Sequence, residues 1–119
     1  MVRTAFPGDV EELAGRLRPE DARAAGAFTG MTPQEALAFT LMLSPRAWTV
    51  EVGGRPVAMF GVALPTALAD VGQPWLVGTP EMSRYGRLLL RLARSYLIAM
   101  RRVAPRLAGL MDARDGKAV

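Results

Sequence analysis

The side chains that most often carry enzymatic chemistry are scarce in this sequence. Its 119 residues include no cysteine and no histidine. That excludes disulfides, thiolate or imidazole metal ligands, a cysteine nucleophile and a histidine base, and no metal site is expected. Acid–base work falls to carboxylates, tyrosine, lysine or water. Glu51 lies in an alternating stretch, where it is the only strand carboxylate. It can act as a base through water, but a solvent-facing position is the expectation. Asp112 and Asp115 follow the last apolar stretch, where sites of α/β proteins often lie, and capping of the next turn is the simpler use. No catalytic residue is assigned from these patterns.

Charge is distributed with more purpose. The net charge is +4, and seven of the fifteen cations lie between Arg84 and Arg106. Only one acid, Glu81, falls in positions 81–106. Arg87, Arg91 and Arg94 recur at i, i+4 and i+7, and Arg101 continues the row. Such a stripe can contact nucleic-acid phosphates or an acidic protein face. It can also be a solvated face whose long stems cover apolar surface. These four arginines are the candidate interaction surface. No aromatic residue interleaves them, so stacking on bases is not expected.

The elements that must position these groups follow from periodicity. Arg3–Phe6 reads as a first strand, broken by Pro7-Gly8. Asp9 stands as a helix cap with Glu12 three residues on, and Val10, Leu13 and Leu17 keep helical spacing to a stop near Arg18-Pro19. Glu20–Phe28 is a second, Ala-rich helical piece ended by Gly30. Thr32-Pro33-Gln34-Glu35 opens a helix with a capping box and a proline at its first position, ending near Ser44-Pro45. Ala47–Val52 alternates, with Trp48, Val50 and Val52 on one face. Gly53-Gly54 signals a tight hairpin, and Val57–Leu64 is the return strand. Pro65–Gln73 reads as a loop and Pro74–Val77 as a short strand. Thr79-Pro80 repeats the cap-then-proline device. The longest helix spans Arg84–Val103, with Leu89, Leu92, Tyr96, Met100 and Val103 on one face. Leu107–Met111 is a last strand, and Asp112–Val119 a turn. Trp48 is expected in the core, and Met31, Met42, Met59, Met82, Met100 and Met111 as gap-fillers.

The order is strand, two helices, three strands, long helix, strand. It predicts an α/β (α+β) fold: a mixed sheet, order β-α-α-β-β-β-α-β, with helices on both faces and its last two strands parallel. The length suits one domain, 1–119. No apolar run approaches the roughly 20 residues of a membrane span, and Met1–Pro7 has no apolar signal core. The protein is expected not to be secreted.

This order resembles the GCN5-related N-acetyltransferase (GNAT) fold. The resemblance rests on the capped first helix, on Ala47–Val62 with its Gly53-Gly54 turn, and on the tail Met111–Ala118. Pro74-Trp75-Leu76-Val77-Gly78-Thr79, the Arg-rich helix and Asp112-Ala113-Arg114 resemble more closely a family of acetyltransferase-like phage proteins that includes an internal virion protein of short-tailed phages. The resemblance implies that acetyl-CoA, if bound, lies where two parallel strands splay apart, with its pyrophosphate at the start of the next helix, where free donors and the helix dipole favour an anion. The corresponding stretch, Gly78–Arg87, departs from the family loop: Pro80 lacks a donor and Glu81 adds negative charge. Arg84, Gly86 and Arg87, with Trp75 and Val77 before them, are the candidate cofactor-binding set.

In the tail, Asp115 stands where the family has Asn, and the helix and tyrosine that protonate the leaving thiolate have no counterpart, so the C-terminal part of the fold reads as missing or truncated. Tyr85 and Tyr96 do not match that tyrosine. The resemblance therefore implies a non-catalytic or degenerate virion or assembly component, with no cofactor and with other phage virion proteins or further copies of itself as partners. It would reside in the phage particle or the host cytoplasm. An active acetyl-CoA-dependent N-acetyltransferase and a nucleic-acid-binding module built on the Arg helix are the alternatives.

Overall fold

Gly53 and Gly54 both take positive φ, 60° and 79°, a conformation that side chains with a Cβ rarely adopt. The computed structural model describes residues 1–26, 30–64 and 71–107. In it the glycine pair joins β2 (Arg46–Val52) to β3 (Arg55–Ala63) as an antiparallel hairpin in which Trp48 stands opposite Phe60. β1 (Val2–Thr4) adds to the outside of β2 with Thr4 opposite Trp48. β4 (Val71–Gly78) adds antiparallel to β3. β5 (Arg106–Leu107) then pairs parallel to β4. The sheet has five strands in the order β1-β2-β3-β4-β5, and the expected mixed α/β sheet is what forms.

Three helices, rather than two, connect β1 to β2: α1 (Pro7–Ala14), α2 (Pro19–Gly26) and α3 (Pro33–Met42). The Ala-rich piece is thus a helix in its own right. α4 (Gly86–Val103) joins β4 to β5. Alternation along the strands sends side chains to both sheet faces. Met59 packs with Val10 and Leu13 of α1 and Leu37 of α3 on one face. On the other, Trp48 and Val62 pack with Met100, Tyr96 and Leu97 of α4. The rings of Trp48, Phe60 and Tyr96 form a trio with centroids 4.8–5.3 Å apart, edge-on or offset as their quadrupoles favour.

Several boundaries differ from the sequence reading, each for a local reason. Pro7 takes the first turn of α1, so Phe6 rather than Asp9 occupies the N-cap position. Asp9 sits three residues in and accepts from the Phe6 N–H at 3.0 Å, while Glu12 is exposed. α1 ends at Ala14, where Gly15 follows and Arg16 turns to donate to the Pro56 carbonyl at 3.0 Å. The Thr32–Glu35 capping box forms as read, with reciprocal bonds of 2.9 and 3.1 Å. Thr79 holds the N-cap position with Pro80 after it, as read, but its side chain makes no cap bond: the hydroxyl donates to the buried Val57 carbonyl at 3.3 Å. A 3₁₀ turn, Pro80–Tyr85, therefore precedes α4, which starts at Gly86 rather than Arg84.

β4 begins at Val71, inside the expected loop, because Gly72 lets it lie close. A Cβ there would stand 2.6 Å from Val62 Cγ2 and 3.0 Å from Ala104 Cβ. Met59, Met82 and Met100 are buried, but Met42 is 74% exposed and fills nothing. The expected strand residues 108–111, together with Met111, Asp112 and Asp115, lie outside the described residues, as does Phe28.

One buried polar group ties β1, β2 and α1 together. Asp9 is 2% exposed. It accepts from both terminal nitrogens of Arg3 at 2.8 and 2.9 Å and from the Thr49 hydroxyl at 2.8 Å. Glu51, expected to face solvent, is half-buried and accepts from the same guanidinium at 3.2 Å. Burial by itself raises the Asp9 pKa, but the bonds from Arg3, Phe6 and Thr49 outweigh it and hold the carboxyl below its ordinary value. A depressed pKa gives stability that is present above the unfolded value of about 3.9 and lost as pH falls through the folded value. Asp9→Asn is expected to lower stability at pH 7 by about 3 kcal/mol, the cost of breaking a buried ion pair. It is also expected to flatten the loss of stability expected of the wild type between pH 5 and pH 2. Urea unfolding followed across that range measures both effects.

Candidate functional site: the open edge of β4

The hydrogen-bonding of β4 places its functional edge. The Thr79 N–H bonds to the Val57 carbonyl of β3 at 2.9 Å. Alternation then turns the Val77, Trp75 and Gln73 groups toward β3 and those of Gly78, Leu76 and Pro74 outward. β5 covers the outer edge only at Val71 and Gly72. Pro74 has no N–H to leave exposed, as befits an edge proline. At the far end the Gly78 N–H donates to Asp21 Oδ2 at 2.9 Å, and the Gly78 carbonyl accepts from the Arg18 N–H at 2.8 Å. The Leu76 N–H and C=O are left with no partner among the described residues.

The clamp at Gly78 is itself braced. Arg18 and Asp21 form a two-pronged ion pair, Nε–Oδ2 2.8 Å and Nη2–Oδ1 3.0 Å, a geometry that suits guanidinium and carboxylate. The Asp21 bonds raise the Arg18 pKa against the opposing effect of burial.

Two cavities flank this edge and share Trp75 and Leu76. The larger, about 750 Å³, lies toward α4 and is lined by Phe60, Leu76, Leu89, Leu92, Tyr96 and Leu97 among others, with Arg18 and Gly86 at its margin. The smaller, about 430 Å³, lies toward α2 and α3, between Leu37, Phe39, Thr40, Gln73, Trp75 and Val77. Both have the size and apolar character of small-molecule sites. Trp75 is fixed between them by its Nε1–H, which donates to Ser44 Oγ at 2.9 Å, while the Ser44 hydroxyl donates to the Thr40 carbonyl at 2.7 Å.

The candidate cofactor set is divided by this arrangement. Trp75 lines both cavities, Gly86 the larger and Val77 the smaller. Arg84 and Arg87 are exposed and line neither. Arg18, Asp21, Ser44, Leu76 and the lining role of Tyr96 were not read from the sequence. The only local signal among them was an Arg–Asp pair at i, i+3 across Pro19. Among the described residues, Asp21 is the only carboxylate on either cavity, and it is committed to Arg18 and Gly78. Tyr96 is the only phenol among them, with its ring in the aromatic trio. Glu51 and Asp9 are bound to Arg3, away from both cavities. No cluster of potential metal ligands occurs among the described residues.

Solved structures with the same arrangement are acetyltransferases. A putative acetyltransferase from Pyrococcus horikoshii matches with a TM-score of 0.58 and 18% identity, over 87% of this chain and 35% of that one. Ard1 from Thermoplasma volcanium matches with a TM-score of 0.55 and 17% identity, over 87% and 64%. An acetyltransferase of the GNAT family from Streptococcus pneumoniae matches with a TM-score of 0.52 and 17% identity, over 84% and 68%. The fold is GNAT-like. No family model and no curated protein sequence matches the chain. The chain spans 64% of the Thermoplasma protein and 35% of the Pyrococcus one, less than two thirds of either.

Acetyl-CoA fits this GNAT-like site at one end only. The larger cavity and the unpaired Leu76 backbone suit an extended amide-bearing arm. The pyrophosphate end does not fit. Pro80 offers no N–H, and the 3₁₀ turn uses its own donors in i→i+3 bonds, as the Met82 N–H to Thr79 carbonyl bond of 3.0 Å shows. Glu81 occupies the region with Arg55 at 3.2 Å and Arg16 at 4.0 Å.

The clamp can be tested directly. Asp21→Ala strands both the Gly78 N–H and the Arg18 guanidinium. A loss of about 2 kcal/mol is expected, in the range for leaving such groups unsatisfied, with faster hydrogen exchange at the Gly78 amide and unchanged exchange at the Val50 amide of β2.

Proposed function

We propose that the chain is a GNAT-like protein that keeps the cleft of an acetyltransferase without its chemistry and acts as a binding or assembly component. One observation carries this reading. Among the described residues, the only carboxylate on either cavity is consumed by structural bonds, and the helix start beside them is filled by Pro80 and an ion-paired Glu81 rather than by open donors. General acid–base catalysis needs a group of suitable pKa within reach of the transferred proton, and Asp21 is not available for it. Fold by itself does not fix activity.

The setting is part of the proposal. Residues 1–119 act as one domain, and the role is that of a phage virion or assembly protein, in the particle or the host cytoplasm. This rests on the resemblance of Pro74–Thr79 and of the Arg-rich helix. The partners are other virion proteins or further copies of the chain. No described helix is long and apolar enough to cross a membrane.

An active acetyl-CoA-dependent N-acetyltransferase is the second reading, favoured by the meeting of the two cavities at Trp75 and Leu76. Calorimetric titration with acetyl-CoA, with CoA as control, separates the two. The expected result is no saturable binding at millimolar ligand by demonstrably folded protein, and no thiol release with a panel of amines. Saturable binding weakened by Arg84→Ala or Arg87→Ala, together with amine-dependent release of CoA, overturns the non-catalytic reading.

A further inference from the structure

α4 presents two unlike faces. Its apolar side faces the sheet and the larger cavity. Its other side carries Arg87, Arg91 and Arg94, all exposed, with the exposed Arg84 just before it and Arg102 near its end. None of these five makes an ion pair or a side-chain hydrogen bond among the described residues. The one acid of the segment, Glu81, is bound to Arg55 and Arg16. These cations neither brace the fold nor neutralise neighbouring charge. We infer that this face binds the phosphate backbone of duplex nucleic acid, without regard to sequence.

The chemistry of the face favours that partner over an acidic protein. Protein interfaces draw their energy from a buried apolar or aromatic anchor ringed by polar groups. The exposed large apolar side chains described on α4 are two isolated aliphatic ones, Leu88 and Ile98, 40% and 53% exposed, and no aromatic anchor stands among the guanidinium groups. Guanidinium forks match phosphate oxygens in pairs. Arg87 to Arg94 covers about 10 Å of helix axis at roughly 1.5 Å per residue. A duplex presents about one negative charge per 1.7 Å, so three guanidinium groups face more phosphates than they can neutralise. Single strands are bound by stacking bases on aromatic rings. The one ring within α4, Tyr96, is turned to Trp48 and Phe60 instead. A helical row of exposed cations with no aromatic ring among them suits a duplex rail.

The inference is independent of the cleft and of any transferase activity. Its test is fluorescence anisotropy with a labelled 20-base-pair DNA duplex of arbitrary sequence, across a salt series. Micromolar affinity at 50 mM salt is expected, equal for two unrelated sequences. Replacing Arg87, Arg91 and Arg94 together by Ala is expected to weaken binding at least tenfold. It is also expected to reduce the slope of log K against log salt by about 2 to 3, at about 0.9 per phosphate contact. Alanine is the best helix former, so the triple variant is expected to keep its circular dichroism and melting temperature. Arg23→Ala, which removes an exposed cation from α2, is expected to change binding less than Arg91→Ala. No binding at tens of micromolar protein overturns the inference, as does binding unmoved by the α4 substitutions. Tighter, α4-dependent binding of a polyglutamate peptide than of the duplex also overturns it, in favour of an acidic protein partner.

Discussion

β4 has a full partner on one side only, and the architecture around the cleft answers that constraint. An uncovered strand edge is a row of unmet donors and acceptors and invites unwanted pairing. Here the row is shortened from both ends. β5 takes Val71 and Gly72, Pro74 removes one donor, and Asp21 and the Arg18 backbone take both groups of Gly78. What is left open among the described residues is the Pro74 carbonyl and the backbone N–H and C=O of Leu76, beside one fixed ring, Trp75. The two cavities meet at Trp75 and Leu76.

The clamp that closes the far end depends on a network some distance away. Arg18 and Asp21 belong to the turn between α1 and α2 and to α2 itself. Their position follows from where α1 lies on the sheet. α1 is fixed at its N-terminus by Asp9, whose carboxylate draws Arg3 of β1, Thr49 of β2 and its own helix start to one point. A buried carboxylate with all its partners in place is tolerable, and with one missing it is costly. The helix entry is therefore closely held, and the chain runs from it along α1 to Arg18, whose backbone N–H meets the Gly78 carbonyl. The apolar contacts of Val10 and Leu13 with Met59 complete the attachment.

The sequence disclosed features whose causes are local. Gly53-Gly54 could only be a turn, because adjacent positive φ values exclude most residues. Thr32 and Glu35 satisfy each other within one helical turn, so their pairing needs no distant information. The apolar stripe of α4 is similarly self-contained. Misreadings arose where a distant group won a side chain. Thr79 has the look of a cap, but the Val57 carbonyl takes its hydroxyl. Asp9 also resembles a cap, but Pro7 opens the helix, which leaves Asp9 three residues past the cap position with its carboxylate held by Arg3 and Thr49. Val71-Gly72-Gln73-Pro74 has no alternation and contains a proline. It is strand because β3 and β5 supply its bonds and Gly72 permits their approach. The site was harder still to read. The Arg18–Asp21 pair is visible at i, i+3, but its use on Gly78 lies 57 residues away from Asp21, and no local pattern points there.

α4 joins the cleft to the charged surface: it lines the cleft with one face and carries Arg87, Arg91 and Arg94 on the other. A helix start that must hold a pyrophosphate is restricted to open donors and small residues. Once that demand is lifted, Pro80 and Glu81 are acceptable there, and Glu81 finds its partners in Arg55 and Arg16 rather than in Arg84 or Arg87. Among the described residues, Arg84, Arg87, Arg91, Arg94 and Arg102 are thereby left without an acid partner. With Glu81 taken by Arg55 and Arg16, the row Arg87, Arg91 and Arg94 keeps its charge turned outward on α4.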